Sequence, residues 1–145
     1  MRLHAYALGS IIKMSWVVLF ATEFLPEFSE LPEDVKDALF IHARWIEAFG
    51  PEAGRPRVDT LKGSKFPNMK ELRFEAADGA WRVAFAFDPE RKALLLIAGD
   101  KSGVSQKKFY KKLIDKADSR YRSHLEALRK LDSSATRKKA EGKKR

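Results

Sequence analysis

Residues 69–98 read MKELRFEAADGAWRVAFAFDPERKALLLIA, and the rest of the chain arranges itself around them. Met69, Glu71, Arg73 and Glu75 fall on one side of an alternating pattern, with Lys70, Leu72 and Phe74 on the other, as a strand requires. Asp78-Gly79 predicts a tight hairpin turn. A second alternation follows, with Trp81, Val83, Phe85 and Phe87 on one face and Arg82, Ala84 and Ala86 on the other. Asp88-Pro89-Glu90 predicts another turn. Ala93-Leu94-Leu95-Leu96-Ile97 is then almost wholly apolar, which suits a central strand covered on both faces.

Upstream, Ser15–Ala21 holds Trp16-Val17-Val18-Leu19-Phe20, β-branched and aromatic like a buried strand. Pro32 opens a helix, and Glu33 and Asp34 suit the positive end of its dipole. Val35, Leu39, His42, Ile46 and Phe49 recur at helical spacing until Gly50-Pro51 ends the run. Residues 51–68 contain Pro51, Pro56, Pro67, Gly54 and Gly63, and read as loops and turns with room for one short helix. Downstream, Gly99 to Ser105 is a loop and Ser105 an N-cap. Phe109, Leu113, Ala117, Tyr121, Leu125 and Leu128 then mark the apolar stripe of a last helix. The order predicts an α+β fold, an antiparallel meander of about four strands with helices packed on one face.

A chain of 145 residues has room for one domain. It carries 29 Lys and Arg against 20 Asp and Glu, a net charge of +9. That excess favours a polyanionic partner, because cations placed beside phosphates release condensed counterions. The chain has no cysteine, which excludes disulfides, thiolate catalysis and Cys-ligated zinc. His4, His42 and His124 are far apart and form no metal-binding spacing, so no metal or other cofactor is expected.

Met1–Phe20 resembles a signal peptide only faintly, since Lys13 interrupts its apolar run and no small-residue cleavage site follows. It falls short of the ~18 uninterrupted apolar residues that cross a bilayer. A cytoplasmic protein is expected, with no membrane partner. Residues 1–13 read as an extension and Met14 as an alternative start. At the other end, residues 132–145 read as a disordered basic tail. The last thirteen residues hold six cations against Glu141, over half of the net charge.

From Leu61 to Tyr110 four elements occur together. They are the LKGS turn (Leu61–Ser64), the KELRF strand (Lys70–Phe74), the WRVAFAF strand (Trp81–Phe87), and an exit through AGDKSG (Ala98–Gly103) into QKKFYKK (Gln106–Lys112). In this arrangement the chain resembles the RelE/ParE superfamily of bacterial toxins, most closely its HigB-like branch, over roughly Ser15–Leu128. The resemblance implies a RelE-like fold with a strongly curved sheet, and a toxin domain over 14–131. It implies an mRNA endoribonuclease acting at the ribosomal A site, where a ribose 2′-OH attacks the adjacent phosphate. A cognate antitoxin, a small helix-turn-helix protein, would hold it inactive. Such toxins rely on Arg, Lys and Tyr rather than a His/Glu pair, and no histidine lies between Leu61 and Tyr121.

Cleavage of this kind needs a proton acceptor, charge stabilisation on the phosphorane and a proton for the leaving 5′-oxygen. The resemblance assigns Arg73, Arg82, Lys101 and Tyr110 to these tasks. Arg82 matches the arginine that stabilises transition-state charge; as a structural residue it would instead pair with Glu71 or Glu75. Arg73 faces the RNA, Lys101 is the basic residue of a loop that Gly99 and Gly103 let approach a backbone, and Tyr110 stacks or assists proton transfer. Lys70, Lys107, Lys108, Lys111 and Lys112 would grip phosphates without reading sequence. Glu71 stands where some relatives carry lysine; pairing with Arg82 is the favoured reading and a general base the alternative.

Three other functions share much of this pattern. The ParE-like branch has the same fold and poisons DNA gyrase. A plain nucleic-acid-binding module would bind through its basic tail. A degenerate toxin would bind its antitoxin and cut nothing.

Overall fold

The computed structural model describes residues 16–143. His4, the 1–13 extension and the Met14 start lie outside them. In chain order the elements are β1 (Val17–Phe20), α1 (Phe24–Ser29), α2 (Glu33–Phe49), a 3-10 turn (Gly50–Glu52), β2 (Val58–Thr60), β3 (Met69–Ala76), β4 (Gly79–Phe87), β5 (Lys92–Asp100) and α3 (Gln106–Lys143). One sheet holds all five strands in the order β1-β5-β4-β3-β2.

The α+β class and the β3–β4–β5 meander are as the sequence predicts, and two strands of the sheet differ. β1 adds to the far edge parallel to β5, Val18 beside Ala93 and Phe20 beside Leu95, so the sheet is mixed. β2 is a three-residue strand, Val58 opposite Leu72, in a stretch whose prolines and glycines pointed to loops.

The helices cover both faces of the sheet, not one. Leu72 and Phe74 point to the α2 side, where His42 stacks on the Phe74 ring with centroids 5.2 Å apart. Glu71 points the other way, to α3, and accepts a hydrogen bond from Tyr110. The cause is visible in β4 and β5, whose residues Val83–Phe87 and Ala93–Leu96 are buried without alternation. Strands apolar on both faces need cover on both.

The β3–β4 turn is displaced by one residue from the prediction. Ala77 and Asp78 take the left-handed conformation, with φ of 49° and 60°, and Ala76 pairs with Gly79. Glycine at 79 serves a different purpose: a Cβ there would stand 2.6 Å from the Asp100 carboxylate and displace it. At the other hairpin, buried Asp88 accepts the N–H groups of Glu90 and Lys92, both at 2.9 Å.

α3 is fastened to the body by polar contacts along its first half. Asp118 accepts the Ser64 hydroxyl at 2.5 Å and the Lys65 N–H at 2.9 Å. Asn68 donates to the Tyr121 hydroxyl at 2.8 Å, and Tyr121 donates to the Phe87 carbonyl at 3.2 Å. A β-bulge between β4 and β5 leaves Leu96 without an opposite residue. Its carbonyl instead accepts from Arg120 at 2.7 Å, while the same guanidinium grips Glu27 of α1 at 2.7 and 2.6 Å. Ser105 caps α3 as expected, accepting the Lys108 N–H at 3.3 Å.

Residues 132–143 continue α3, where the sequence predicts disorder. The stretch has no proline, Gly142 comes only at its end, and Ala, Arg, Lys and Glu are good helix formers. Residues 129–138 are exposed.

Candidate functional site

Cross-strand register builds the site. Arg73 of β3 pairs with Arg82 of β4, so both side chains leave the sheet on the same face as Glu71, the face that α3 crosses. Tyr110, in the second turn of α3, reaches down to them. Gly99 makes this approach possible, since a Cβ there would lie 2.9 Å from the Phe109 ring, next to Tyr110.

The four side chains form one connected chain. Arg82 Nε donates to the Tyr110 hydroxyl at 3.3 Å, and Tyr110 donates to Glu71 Oε1, also at 3.3 Å. Arg73 Nε lies 3.2 Å from the same oxygen, charge-paired but too poorly aimed for a hydrogen bond. Arg82 stands 3.9 Å from it, and its Nη1 donates to the Trp81 carbonyl at 2.9 Å. Glu71 is 5% exposed and Arg82 8%. Burial raises the Glu71 carboxyl above its ordinary value, against the opposing pull of Arg73, the Tyr110 hydrogen bond and Arg82. Desolvation wins over three favourable neighbours.

A cavity of about 380 Å³ opens beside this chain, lined by Asp59, Thr60, Leu61, Lys62, Glu71, Gln106, Lys107 and Tyr110. It falls within the size range of ligand sites. Asp59 does not present a free charge to it, because Arg55 holds the carboxylate at 3.1 and 3.0 Å. The sequence singled out Leu61 and Lys62 in the LKGS turn but missed the wall before them. Val58-Asp59-Thr60 carries a weak strand signal, two β-branched residues between Pro56 and Gly63, too short to read with confidence as a strand.

Three of the four predicted catalytic residues meet here: Arg73, Arg82 and Tyr110. Lys101 does not join them. Its N–H donates to the Ala80 carbonyl at 2.9 Å, beside the β3–β4 turn, and its side chain has no ion pair or hydrogen bond among the described residues. The predicted RNA-binding lysines also divide. Lys107 lines the cavity. Lys108 and Lys112 line a separate groove with Ile97, Gly99 and Phe109. Lys111 pairs with Asp115 at 3.5 Å. Lys70 leaves β3 on the side opposite Glu71 and donates to Thr60 at 3.2 Å.

No group of three or more His, Asp or Glu side chains able to hold a metal ion occurs among the described residues. His124 sits 2.8 Å from Asp88, and burial lowers the basicity of His42. No helix among the described residues is long and apolar enough to cross a membrane.

Residues 26–122 match the family described as phage-derived protein Gp49-like. The chain belongs to the phage-derived Gp49-like family. It is 48% identical over 80 residues to a Mycobacterium tuberculosis protein named as toxin HigB3, covering 55% of this chain and 68% of that one. A second M. tuberculosis relative, named as toxin HigB2, is 38% identical over 96 residues, 66% of this chain and 47% of its own length. In structure the chain is similar to a double arginine-to-alanine variant of the E. coli toxin RelE in its free state. The TM-score is 0.50 at 15% identity, over 71% of this chain and 97% of that one. The HigB-like resemblance and the RelE-like fold both stand.

Proposed function

We propose that this Gp49-like protein is the toxin of a toxin–antitoxin pair, a metal-independent endoribonuclease that cuts mRNA on the ribosome and so inhibits translation in the cytoplasm. The observation that carries this reading is the Arg82–Tyr110–Glu71–Arg73 chain at the edge of a cavity flanked by Lys62 and Lys107. It gathers on one face the three groups that 2′-OH attack needs.

Glu71 is the proton acceptor. Its raised pKa brings it closer to the working pH of a base than an ordinary carboxylate. It takes the 2′-OH proton as the O2′–P bond forms, and Arg73 and Arg82 stabilise the charge that develops on the phosphorane. The P–O5′ bond breaks as Tyr110 gives its proton to the leaving oxygen, and Glu71 returns a proton to Tyr110. The products are a 2′,3′-cyclic phosphate and a 5′-hydroxyl. Lys62, Lys107 and their neighbours hold phosphates, and Lys101 contacts RNA from the far end of β5. The partner that silences this site is a cognate helix-turn-helix antitoxin.

Expression of the wild type and an Arg73→Ala/Arg82→Ala variant, with mRNA 5′ ends mapped during growth arrest, tests the reading. Codon-phased cuts with the wild type alone support it. Arrest with intact mRNA and induction of the DNA-damage response moves the protein to gyrase poisoning. Soluble protein that neither arrests growth nor cuts is an inactive relative or a binding module.

A further inference from the structure

The cleavage cluster leaves the far end of α3 without a task. The helix is 38 residues long, about 57 Å at the usual rise, and the body holds only its first half. Leu113, Ala117, Asp118, Arg120 and Tyr121 are buried, and Leu125 still packs against the core. Beyond Leu128 every described side chain is exposed, and Leu131 is 67% exposed. Some 20 Å of helix therefore projects past the sheet.

Charge is concentrated at this end of the sequence. Residues 133–145 contain Arg137, Lys138, Lys139, Lys143, Lys144 and Arg145 against Glu141, five of the chain's nine net positive charges. Favourable interaction with the helix dipole reaches only the last turn, so it leaves Arg137, Lys138 and Lys139 unaccounted for. A helix end with so little burial and so high a net positive charge is held best by an external polyanion.

We infer that the projecting end of α3 is a second RNA-binding surface, which docks on the phosphate backbone of folded RNA independently of the cleavage site. Its chemistry fits phosphates and not a particular base. Its cations, of which Arg137 and Lys138 are exposed, are lysine and arginine, and the sequence has neither an aromatic residue for stacking nor an Asn or Gln for a base edge between Leu131 and Arg145. The arm would add affinity and hold the cutting face near structured RNA, whatever the cluster around Glu71 does there.

The test uses the full-length protein and a 20-base-pair RNA duplex with 2′-O-methyl groups throughout, which offers phosphates but no attacking hydroxyl. Affinity is measured by fluorescence anisotropy between 50 and 200 mM KCl. The wild type is compared with a variant in which all six arm cations become Gln, and with Lys107→Gln/Lys108→Gln/Lys111→Gln/Lys112→Gln. Each phosphate neutralised contributes ~0.7–0.9 to the slope of log affinity against log salt. The arm variant is expected to lower that slope by about 2 or more, weaken binding at least tenfold at 100 mM, and keep its thermal unfolding midpoint. A slope and affinity equal to the wild type's would overturn the proposal and leave the arm to a protein partner. Because the duplex cannot be cut, a failure of the endoribonuclease reading does not alter this outcome.

Discussion

Arg82 on β4 and Glu71 on β3 stand 3.9 Å apart, Nε to Oε1, and the Tyr110 hydroxyl sits 3.3 Å from each. The tyrosine accepts from the cation and donates to the anion, so it couples two buried charges that do not meet in a hydrogen bond. Arg82 thus fulfils its structural expectation, pairing with Glu71, while keeping a place beside the cavity. The salt bridge leaves the proposed chemical role open to it.

Glu71→Gln separates those roles. The neutral amide keeps the shape, and burial already favours the uncharged form of Glu71, so stability at pH 7 is expected to hold or rise. The sign follows from the raised pKa: Glu71 contributes stability below its ordinary value of 4.5 and loses it as pH rises through the folded value. Cleavage is expected to fall about 10²–10⁴-fold. Wild-type cleavage should also show an acid limb above 4.5 that is absent from the residual activity of Glu71→Gln. Cleavage and thermal melts measured on the same preparation check both halves.

Tyr110→Phe removes a single oxygen from the chain. Arg82 Nε and Glu71 Oε1 each lose a partner, at a cost of about 1–3 kcal/mol for a buried polar group left unpaired. Cleavage should fall more than RNA affinity does, because the phenol is assigned to proton transfer. Lys101→Ala, away from the cluster, should weaken RNA binding without a comparable loss in single-turnover rate. Single-turnover cleavage with saturating protein distinguishes the two variants.

Arg120→Ala is expected to destabilise the fold by about 1–3 kcal/mol, because it leaves the Leu96 carbonyl at the bulge unpaired and removes the ion pair to the solvent-exposed Glu27. The pair also has a pH signature. The Arg120 hydrogen bond lowers the Glu27 pKa, so its contribution is full above the ordinary 4.5 and fades as pH falls through the depressed folded value. Urea melts should show a stability gap between wild type and Glu27→Gln that is constant above about pH 4.5 and closes below it.

Gly50→Ala tests the junction between α2 and β1. Gly50 has φ of 54°, and an added Cβ would overlap the Trp16 indole. The left-handed backbone and the overlap together should lower stability by about 2–4 kcal/mol, read from the denaturant midpoint. Trp16 fluorescence should shift in the folded state as the indole is displaced.

Much of the site could be read from spacing. Two-residue periodicity placed Arg73 and Glu71 on one face of β3 and set Arg82 on the face of β4 opposite Trp81 and Val83, and the Asp78-Gly79 signal located their hairpin to within one residue. β2 was hidden because three residues between Pro56 and Gly63 give periodicity nothing to act on. The parallel pairing of β1 was hidden because no local signal reports which edge a strand joins. The apolar run Ala93–Ile97 did signal cover on both faces, at odds with the expected packing of the helices on one face; the strand was the better guide.

The sequence by itself determined the strands β3–β5, the long helices, the family and the sign of the charge, because these follow from local periodicity and composition. Tertiary structure decided which charges became a site. Lys101 and Tyr110 are nine residues apart, and Glu71 and Tyr110 thirty-nine, yet the distant pair touches. Strand register fixed Arg73 opposite Arg82, and the lean of α3 over Gly99 brought the phenol between them. Burial then raised the Glu71 pKa, an effect of distant side chains excluding water that no neighbour in sequence could supply.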